Sequence, residues 1–391
     1  MYLDPPRDRQ RKGVCVPQTI LITGGAGFIG RAVARALVAR GDRVRVLDSL
    51  IEQVHGGLAR PDDMPDDLPD AVDLRRGDVR DPAAVAQVLI GVDKVIHLAA
   101  EVGVGQSMYA VERYVSVNDV GTAVLFQALI QRPVERVVVA SSMSIYGEGL
   151  YRDAEGRLVE DVVRQPRSGP DAPWDPLDAA GRPLTPVPTP EWKRPALASV
   201  YALSKYAQER LTLMLAPAYG MEGVALRLWN AYGPGQALSN PYTGVLAIFA
   251  SRLHNGAAPV MFEDGQQLRD FVHVDDVAQS FLLALDRPEA AGQVYNIGSG
   301  VSRSVSEVGT LLARAMGRSE IRPEIAGKLR AGDIRHCIPD ITKAQTELGY
   351  APRRDFAEGL AELAAWVAAQ SDAQDRVAEA RRELEKHGLV A

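Results

Sequence analysis

The chain has 391 residues, a length that allows a large hydrophobic core and either one big domain or two domains that share a cleft. Its composition, 46% hydrophobic and 24% charged, is typical of a globular protein. The formal net charge of -6 provides no broad basic surface, so we expect neither nucleic acid nor a membrane as a partner.

Cysteines are scarce in the chain. Cys15 and Cys337 are too few for a disulfide framework and are wrongly spaced for a structural zinc site, so we expect a cytoplasmic protein without a metal. Residues 1–17 are charged and lack the apolar stretch of a secretion signal, which predicts a flexible N-terminal tail.

From residue 18 onward, short apolar runs typical of strands alternate with longer runs of helical periodicity. The strand-like runs are TILIT, RVRVLD, DKVIHLAA and ERVVVASS, and the helical runs between them are GRAVARALVAR, DPAAVAQVLI and SVNDVGTAVLFQALIQ. Strands that are apolar on both faces and separated by helices indicate an α/β fold with a doubly wound parallel sheet of the Rossmann type. Such sheets bind ligands at the carboxyl ends of their strands.

The composition of the chain changes after about residue 150. Residues 150–195 are rich in Pro, Gly and charge, which predicts an inserted surface excursion of unknown role. The sheet pattern then resumes, so we expect a Rossmann domain over 18–233 that contains this insertion. Turns, short strands and helices over 234–370 predict a smaller C-terminal substrate-binding lobe. Residues 371–391 fit either a helix or a solvated tail.

The first strand-to-helix turn, TILITGGAGFIG, carries Gly24, Gly27 and Gly30. Glycines let the backbone approach a pyrophosphate, and the helix N-terminus offers free N–H groups and positive potential. Asp48 ends the next strand, at the separation expected of a carboxylate that binds the adenosine ribose hydroxyls. Because an acid there repels a 2′-phosphate, the sequence favours NAD over NADP.

A second feature is the stretch YALSK, in which Tyr201 and Lys205 would share one face of a helix. Such a pair alone is more often surface decoration than chemistry, so its significance depends on the rest of the chain.

Seven motifs follow one another in a set order: TGGAGFIG, RRGDVRD, HLAA, NDVGT, SSMSIYG, YALSK and RLWNAYGPGQ. Together they resemble the extended short-chain dehydrogenase/reductases, specifically their branch of nucleotide-sugar epimerases and dehydratases. The resemblance runs from about Thr19 to Tyr350. It implies bound NAD, a nucleotide-diphosphate sugar as substrate, and a homodimer formed through the helices that contain NDVGT and YALSK.

The resemblance also implies a catalytic set of Ser142, Tyr201 and Lys205. A nearby ammonium and the positive nicotinamide would lower the pKa of the Tyr201 phenol toward the working range, so that it acts as the base. Lys205 would also hold the nicotinamide ribose, and Ser142 would bind the reacting sugar hydroxyl. His97 is given no catalytic role, because a histidine on a buried strand is more often a packed core residue.

The remaining implied contacts fall into two groups. Those to the cofactor, besides Tyr201 and Lys205, are Gly24, Gly27, Phe28, Ile29, Gly30, Asp48, Asp78, Val79, Leu98, Ala99, Ala100 and Asn118. Those to the substrate, besides Ser142, are Asn230, Arg269, Arg330 and Asp333. Guanidinium groups suit the second task because their fork geometry matches phosphate oxygens.

The segment SSMSIYG favours epimerisation over dehydration. In the 4,6-dehydratases of this branch an Asp-Glu pair follows the catalytic hydroxyl residue, because loss of the C5 proton and the C6 hydroxyl needs a base and an acid. Met143 and Ser144 stand there instead. We therefore expect a 4-epimerase that oxidises C4 transiently to a ketone and returns hydride to the opposite face.

Within the epimerases, HLAAEVGVGQSMY and NPYTGVLAIFASRLHNG look more like the dTDP-rhamnose type than the UDP-galactose type, in which a lysine would replace Val102. The insertion resembles one in that subgroup, although the cysteine pairs found there are missing here. A 4,6-dehydratase, a 4-ketosugar reductase and, more remotely, a non-catalytic dinucleotide-binding regulator are the alternatives. The base, the sugar and the pathway stay open.

Overall fold

The computed structural model describes residues 17–55, 67–164, 172–240, 242, 244–330, 332–370 and 377–390. Residues 1–16 of the predicted tail and 165–171 of the predicted insertion lie outside them. In chain order the strands are β1 (Thr19–Thr23), β2 (Arg43–Asp48), β3 (Asp73–Arg76), β4 (Lys94–His97), β5 (Arg136–Ser142), β6 (Leu150–Arg152), β7 (Leu158–Val159), β8 (Thr185–Val187), β9 (Glu222–Leu228), β10 (Asn230–Tyr232), β11 (Val260–Met261), β12 (Leu268–His273), β13 (Val294–Ile297), β14 (Ser302–Ser304) and β15 (Glu324–Ile325).

The α-helices, again in chain order, are α1 (Phe28–Arg40), α2 (Glu52–His55), α3 (Pro82–Val88), α4 (Val104–Ser107), α5 (Val111–Tyr114), α6 (Gly121–Gln131), α7 (Val200–Ala218), α8 (Val245–His254), α9 (Val274–Asp286), α10 (Val305–Ala315), α11 (Phe356–Ala368) and α12 (Val377–Lys386). A π-helical segment, Val115–Val120, joins α5 to α6, and a second one spans Ala344–Leu348. Short 3₁₀ turns span Met143–Tyr146 and Pro288–Ala290. None of the described helices combines the length and hydropathy that crossing a bilayer requires.

Seven strands form one parallel sheet in the order β13-β9-β5-β4-β1-β2-β3. The strand order reverses beside β1, as in a doubly wound fold, so the carboxyl ends of β1 and β4 open onto a crevice. The central strands are buried on both faces: β1 and β5 expose none of their residues. This matches the near-continuous apolar runs TILIT and RVVVA, and the predicted Rossmann fold is confirmed.

Helices cover both faces of the sheet. On one face α1 and α9 pack with residues such as Val33, Leu37 and Phe281. On the other, α3, α6 and α7 bury Val85, Leu125 and Ala216. The Asp81 carboxylate caps α3 by accepting the Ala83 N–H at 2.9 Å, immediately before a proline in the first turn.

The division of the chain at residue 234 needs a correction. After the lobe begins, α9 and β13 return to the Rossmann domain, where β13 pairs in parallel with β9 at the sheet edge. The lobe itself is built on a second core from α8, α10 and α11, beside a three-stranded sheet in the order β10-β12-β14. Chain order alone did not reveal which strand joins which sheet.

The insertion is better ordered and more buried than its composition indicated. It forms a three-stranded antiparallel sheet in the order β7-β6-β8. Tyr151, Thr189 and Lys193 are buried, and the Lys193 ammonium donates to the Tyr146 carbonyl at 3.0 Å. The segment is therefore tied to the body of the protein rather than lying loosely on its surface.

Candidate active site

A cavity of about 780 Å³ lies between the carboxyl ends of the central strands and the lobe. It is lined by all but one of the residues predicted as site residues. Those from the sheet domain are Gly24, Gly27, Phe28, Ile29, Gly30, Asp48, Asp78, Val79, Leu98, Ala99, Ala100, Ser142, Tyr201 and Lys205. Those on the lobe side are Asn230, Arg269, Arg330 and Asp333. The exception is Asn118.

The glycine-rich turn opens one end of the cavity. Gly24 has φ +70, and a Cβ there would lie 2.7 Å from the Ala99 nitrogen, while a Cβ on Gly30 would lie 2.5 Å from the Gly25 Cα. These two glycines are required by close backbone packing. A Cβ on Gly27 would meet the Gly24 carbonyl oxygen at 3.3 Å and nothing closer. Gly27 precedes α1, whose first turn carries no acidic side chain, so this helix N-terminus fits an anionic pyrophosphate.

Asp48 is held firmly at the end of β2. Its two carboxylate oxygens accept the Ala26 N–H at 3.0 Å and the Leu50 N–H at 2.9 Å. The neighbouring Asp78 is paired with Arg80 at 2.6 Å. Hydrogen bonding from that guanidinium holds the pKa of Asp78 below its usual value despite partial burial. Both carboxyl side chains are thus held in place at the border of the cavity, as an adenosine pocket for a cofactor without a 2′-phosphate would require.

The predicted catalytic residues come from two elements. Ser142 ends β5, and Tyr201 and Lys205 lie in the first two turns of α7, which Ser199 caps by accepting the Ala202 N–H at 3.1 Å. Burial raises the pKa of the Tyr201 phenol to about 12, and its hydrogen bond with Ser142 acts in the opposite direction. The structure thereby brings the serine hydroxyl and the phenol together at the strand end.

Lys205 faces a different partner from the one we expected. Its ammonium donates to Gln208 Oε1 at 2.7 Å. Burial lowers the pKa of this ammonium to about 7, although the Glu209 carboxylate raises it. Burial thus raises the pKa of the Tyr201 phenol, and the Lys205 ammonium does not offset this as we expected. The positive charge of the bound cofactor would have to lower the phenol pKa instead.

Two residues that the sequence analysis did not single out support the catalytic pair from the buried side of α7. Gln208 Nε2 lies 3.1 Å from His97 Nε2 and donates to Thr122 Oγ1 at 2.9 Å. Glu209 pairs with Arg227 at 2.7 Å. They follow Lys205 by three and four residues and therefore lie on the helix face that carries Tyr201 and Lys205. Polar residues at this spacing could have identified them from the sequence.

His97 is a packed core residue, as the sequence analysis assumed. Its ring nitrogens lie 2.7 Å from Thr23 Oγ1 and 2.8 Å from Thr122 Oγ1. Complete burial, with a smaller contribution from the Lys205 charge, lowers its pKa to about 3. The imidazole is therefore neutral and already hydrogen bonded.

Asn118 is fully buried in the π-helical segment rather than on the cavity wall. Its side chain accepts the Glu101 N–H at 2.7 Å and donates to Ser204 Oγ at 2.8 Å. It thus fixes the loop after β4 to the catalytic helix, which differs from the direct position near the nicotinamide that we expected.

The substrate-side residues form a charged cluster. Arg330 pairs with Asp333 at 3.2 Å and stacks over the Phe262 ring at 5.1 Å, while its Nε is buried without a hydrogen-bond partner. Burial opposes the charge on Asp333, but Arg330 and Arg269 prevail and its pKa is lowered. Asn230 Oδ1 is likewise buried without a partner. Unsatisfied groups of this kind on a cavity wall suit a polar ligand.

Arg269 is engaged differently from Arg330. Its guanidinium donates to the Arg335 carbonyl at 3.0 Å and also to the Ile334 carbonyl. These two hydrogen bonds hold the loop after Asp333 against β12.

The two positions where the resemblance implies an acidic pair in dehydratases follow Ser142 directly. Met143 and Ser144 both line the cavity, and the Ser144 hydroxyl donates to Ser142 Oγ at 2.8 Å. Neither side chain can serve as a carboxylate base or acid.

A doubly wound parallel sheet whose glycine-rich turn and Asp48 line a cavity at the strand ends is the arrangement of a Rossmann-fold dinucleotide-binding protein. A profile of the NAD dependent epimerase/dehydratase family matches residues 20–169 and 180–298. The chain belongs to this family, and the predicted family membership is confirmed. NAD is the family's cofactor.

Individual relatives share the full length of the fold. The chain is 36% identical over 357 residues to the dTDP-L-rhamnose 4-epimerase of Burkholderia thailandensis, covering 90% of this chain and 96% of that protein. It is 32% identical to a dTDP-glucose 4,6-dehydratase of Actinoplanes, covering 90% and 98%. The UDP-glucose 4-epimerase of Thermotoga maritima, solved with UDP-glucose, superposes with a TM-score of 0.72 at 29% identity, covering 89% and 98%. The Thermus thermophilus UDP-glucose 4-epimerase, solved with NAD, gives 0.68 at 29%, covering 90% and 99%.

Proposed function

We propose that the protein is an NAD-dependent 4-epimerase of a nucleotide-diphosphate hexose. The observation that supports this proposal is that Ser142 and Tyr201, joined by a hydrogen bond, line the same cavity as the glycine-rich turn and the charged residues of the lobe, together with Met143 and Ser144. NAD, when bound, would accept the hydride from C4 of the sugar and return it.

The protein's own residues would manage the proton. Tyr201 takes the proton of the C4 hydroxyl as that carbon is oxidised and gives it back on reduction, while Ser142 holds the same oxygen. Lys205 binds the nicotinamide ribose, and Gln208 orients the lysine by accepting a hydrogen bond from its ammonium. Because the proton returns to the oxygen it left and the hydride to C4, the cycle has no net redox change.

The lobe would hold the nucleotide diphosphate. Arg330, whose Nε is buried without a hydrogen-bond partner, is the proposed phosphate ligand. Asn230 would accept a hydrogen bond from a sugar hydroxyl at Oδ1 or donate one to the phosphate through its amide NH2. Arg269 acts mainly as a positioning residue for Asp333 and the loop after it. The relatives act on dTDP- and UDP-linked sugars by name, so these are the proposed nucleotides.

Dehydration is the second reaction within the family, and one relative is named for it. It would need a base for the C5 proton and an acid for the C6 hydroxyl, and Met143 and Ser144 provide neither. This difference supports epimerisation over dehydration.

A homodimer and a cytoplasmic location complete the proposal. The dimer is supported by apolar side chains that face outward on and before α6 and on α7: Val115, Val120, Leu203 and Met214 are 37 to 57% exposed. The location rests on the scarcity of cysteine.

The proposal is tested by incubating the protein with a panel of dTDP-, UDP- and GDP-hexoses and measuring inversion at C4 by proton NMR. We expect inversion with at least one dTDP- or UDP-sugar, with no added cofactor consumed. Stoichiometric consumption of added NAD(P)H would indicate a reductase instead.

A further inference from the structure

The C-terminal helix α12 contacts both sides of the cavity. On the sheet-domain side, Leu384 packs against α4, since a Cβ on Gly105 would lie 3.2 Å from its Cδ2. The His387 ring, just beyond α12, stacks on Tyr109 with centroids 4.8 Å apart and planes 6° apart. On the lobe side, Glu385 pairs with Lys328 at 3.7 Å.

The same segment contacts two elements that carry or support residues of the site. Val390 forms an antiparallel bridge with Arg330, the proposed phosphate ligand. Gly105 lies in α4, where Ser107 Oγ accepts the Tyr201 backbone N–H at 3.0 Å. The C-terminal segment therefore extends from α4, which is hydrogen bonded to the backbone of Tyr201, to Arg330 at the proposed diphosphate end of the site.

The inner face of α12 forms part of the cavity wall. Val377, Ala380, Arg381 and Leu384 line it, and Ala380 and Leu384 are only 5% and 6% exposed. Arg381 is the charged member of these four. Its partner Glu385, at 3.0 Å, also pairs with Lys328, so Arg381 shares this carboxylate with a second cation.

We propose that α12 is part of the nucleotide-sugar site, with Arg381 as a contact of the substrate diphosphate and Leu384 as the apolar seal over the sugar. This inference rests on the proposed epimerase function. A 4-epimerase must retain its 4-keto intermediate until hydride returns, and a helix closed over the sugar excludes water and prevents escape. Closure of this kind requires α12 to move aside when substrate enters or product leaves.

The first test is hydrogen exchange of the full-length protein, without and with UDP-glucose and dTDP-glucose as probes. We expect either nucleotide sugar that binds to slow exchange at the α12 amides. If a probe binds and exchange in α12 stays unchanged, the helix is no part of the site. If exchange becomes faster, α12 competes with the substrate, and the proposal is overturned.

The second test compares neighbouring arginines. Arg381→Ala should raise KM for the nucleotide sugar about tenfold, the usual effect of losing a charge-assisted contact, with kcat changed little. Arg382→Ala, an exposed residue one position along, is the matched control and should leave KM unchanged. Equal effects of the two substitutions would remove Arg381 from the site.

The seal is tested with Leu384→Ala. In this variant we expect the 4-keto sugar nucleotide to escape and to be trapped as its oxime, detected by mass spectrometry. Each escape leaves two electrons on the bound cofactor, so one enzyme molecule stops per ketone released and activity decays during the reaction. An unchanged melting temperature shows that the variant is folded. Stable progress curves without trapped ketone in the folded variant would contradict the seal.

These outcomes separate the inference from the proposed function. If the wild-type protein binds nucleotide sugars and protects α12 without inverting C4, the function fails and the closure stands. If it inverts C4 and α12 shows no protection, the function stands and the closure fails.

Discussion

Burial raises the pKa of the Tyr201 phenol to about 12, and the Ser142 hydroxyl is its hydrogen-bonding neighbour. If the phenol carries the proton of the C4 hydroxyl, Tyr201→Phe removes that proton carrier while leaving the ring in place. We expect kcat to fall by at least ~100-fold and the NAD content of the purified protein to persist. Tyr219→Phe, an exposed tyrosine at the end of α7, is the control. Near-normal kcat in Tyr201→Phe would end the assignment.

Lys205 links the site to stability. Burial lowers the pKa of its ammonium to about 7, from an ordinary 10.5. Between these two values the unfolded chain binds a proton here that the folded protein does not, so the contribution of this group to stability rises with pH across that window. Below it, the folded protein carries the full cost of a buried charge.

Lys205→Met should therefore have a pH-dependent effect on stability while it abolishes activity. The variant should exceed the wild type in free energy of unfolding by the largest margin below pH 7, and this margin should shrink as the pH rises toward 10.5. Urea denaturation across this range measures the difference, and Lys386→Met, an exposed lysine, is the control. A constant difference at every pH would show that Lys205 is not destabilised by burial.

Local sequence predicted the residues of the site better than their hydrogen-bonding partners. Gly24, Asp48 and Tyr201 sit in short motifs whose geometry is local, and the structure places all three on the cavity. The partners of Lys205 depend on how α7 packs against the sheet, which the sequence does not specify. For that reason we did not predict that Gln208 accepts a hydrogen bond from the Lys205 ammonium. We expected this ammonium to stabilise the Tyr201 phenolate.

At the scale of elements, apolar strands and amphipathic helices could be predicted from the sequence, whereas the polar strand β3 and the position of the polar helix α12 could not. Strand β3, Asp73–Arg76, has the sequence DLRR at the sheet edge, and it lacks the apolar run by which β1 and β5 were found. The placement of α12 on the cavity was equally inaccessible, because the helix has one weak apolar stripe and its partners are distant in the chain.

The insertion is held to the lobe by buried ion pairs. Arg335, 2% exposed, pairs with Asp175 of the insertion at 2.7 Å and with the buried Glu263 at 3.0 Å. Glu263 in turn pairs with Arg164 of the insertion at 2.7 Å. The insertion is thus an integral structural element, in contrast to the surface excursion that its composition indicated.

Removing one partner of this cluster should be costly. We expect Arg335→Met to lower the free energy of unfolding by about 3 kcal/mol, because Glu263 keeps its buried charge with fewer cations around it. Arg157→Met, which breaks the exposed pair with Asp153, is the matched control within the insertion and should change stability little. Urea denaturation at neutral pH compares the two, and equal losses would show that the cluster contributes no more than a surface pair.

At the scale of the whole molecule, the outward apolar residues of α7 predict self-association. Met214, 57% exposed, is expected to lie in the dimer interface, so Met214→Glu should yield monomers in analytical ultracentrifugation. Val163→Glu changes a residue that is 74% exposed in the insertion and should leave the dimer intact. A monomeric wild-type protein, or a Met214→Glu dimer, would contradict this interface.

The proposed reaction cycles C4 through a ketone and involves no other chemistry on the sugar. Its most direct test is to give the enzyme a competent nucleotide sugar with deuterium at C4, and in parallel the unlabelled sugar in heavy water, and to locate the label by mass spectrometry and proton NMR. We expect the C4 deuterium to return to C4 of the epimer, with no added cofactor required and no solvent deuterium at C5 or C6, because Met143 and Ser144 supply no base or acid for those positions. Deuterium that moves from C4 to C6, together with solvent deuterium at C5, would show that the protein is a dehydratase and not an epimerase.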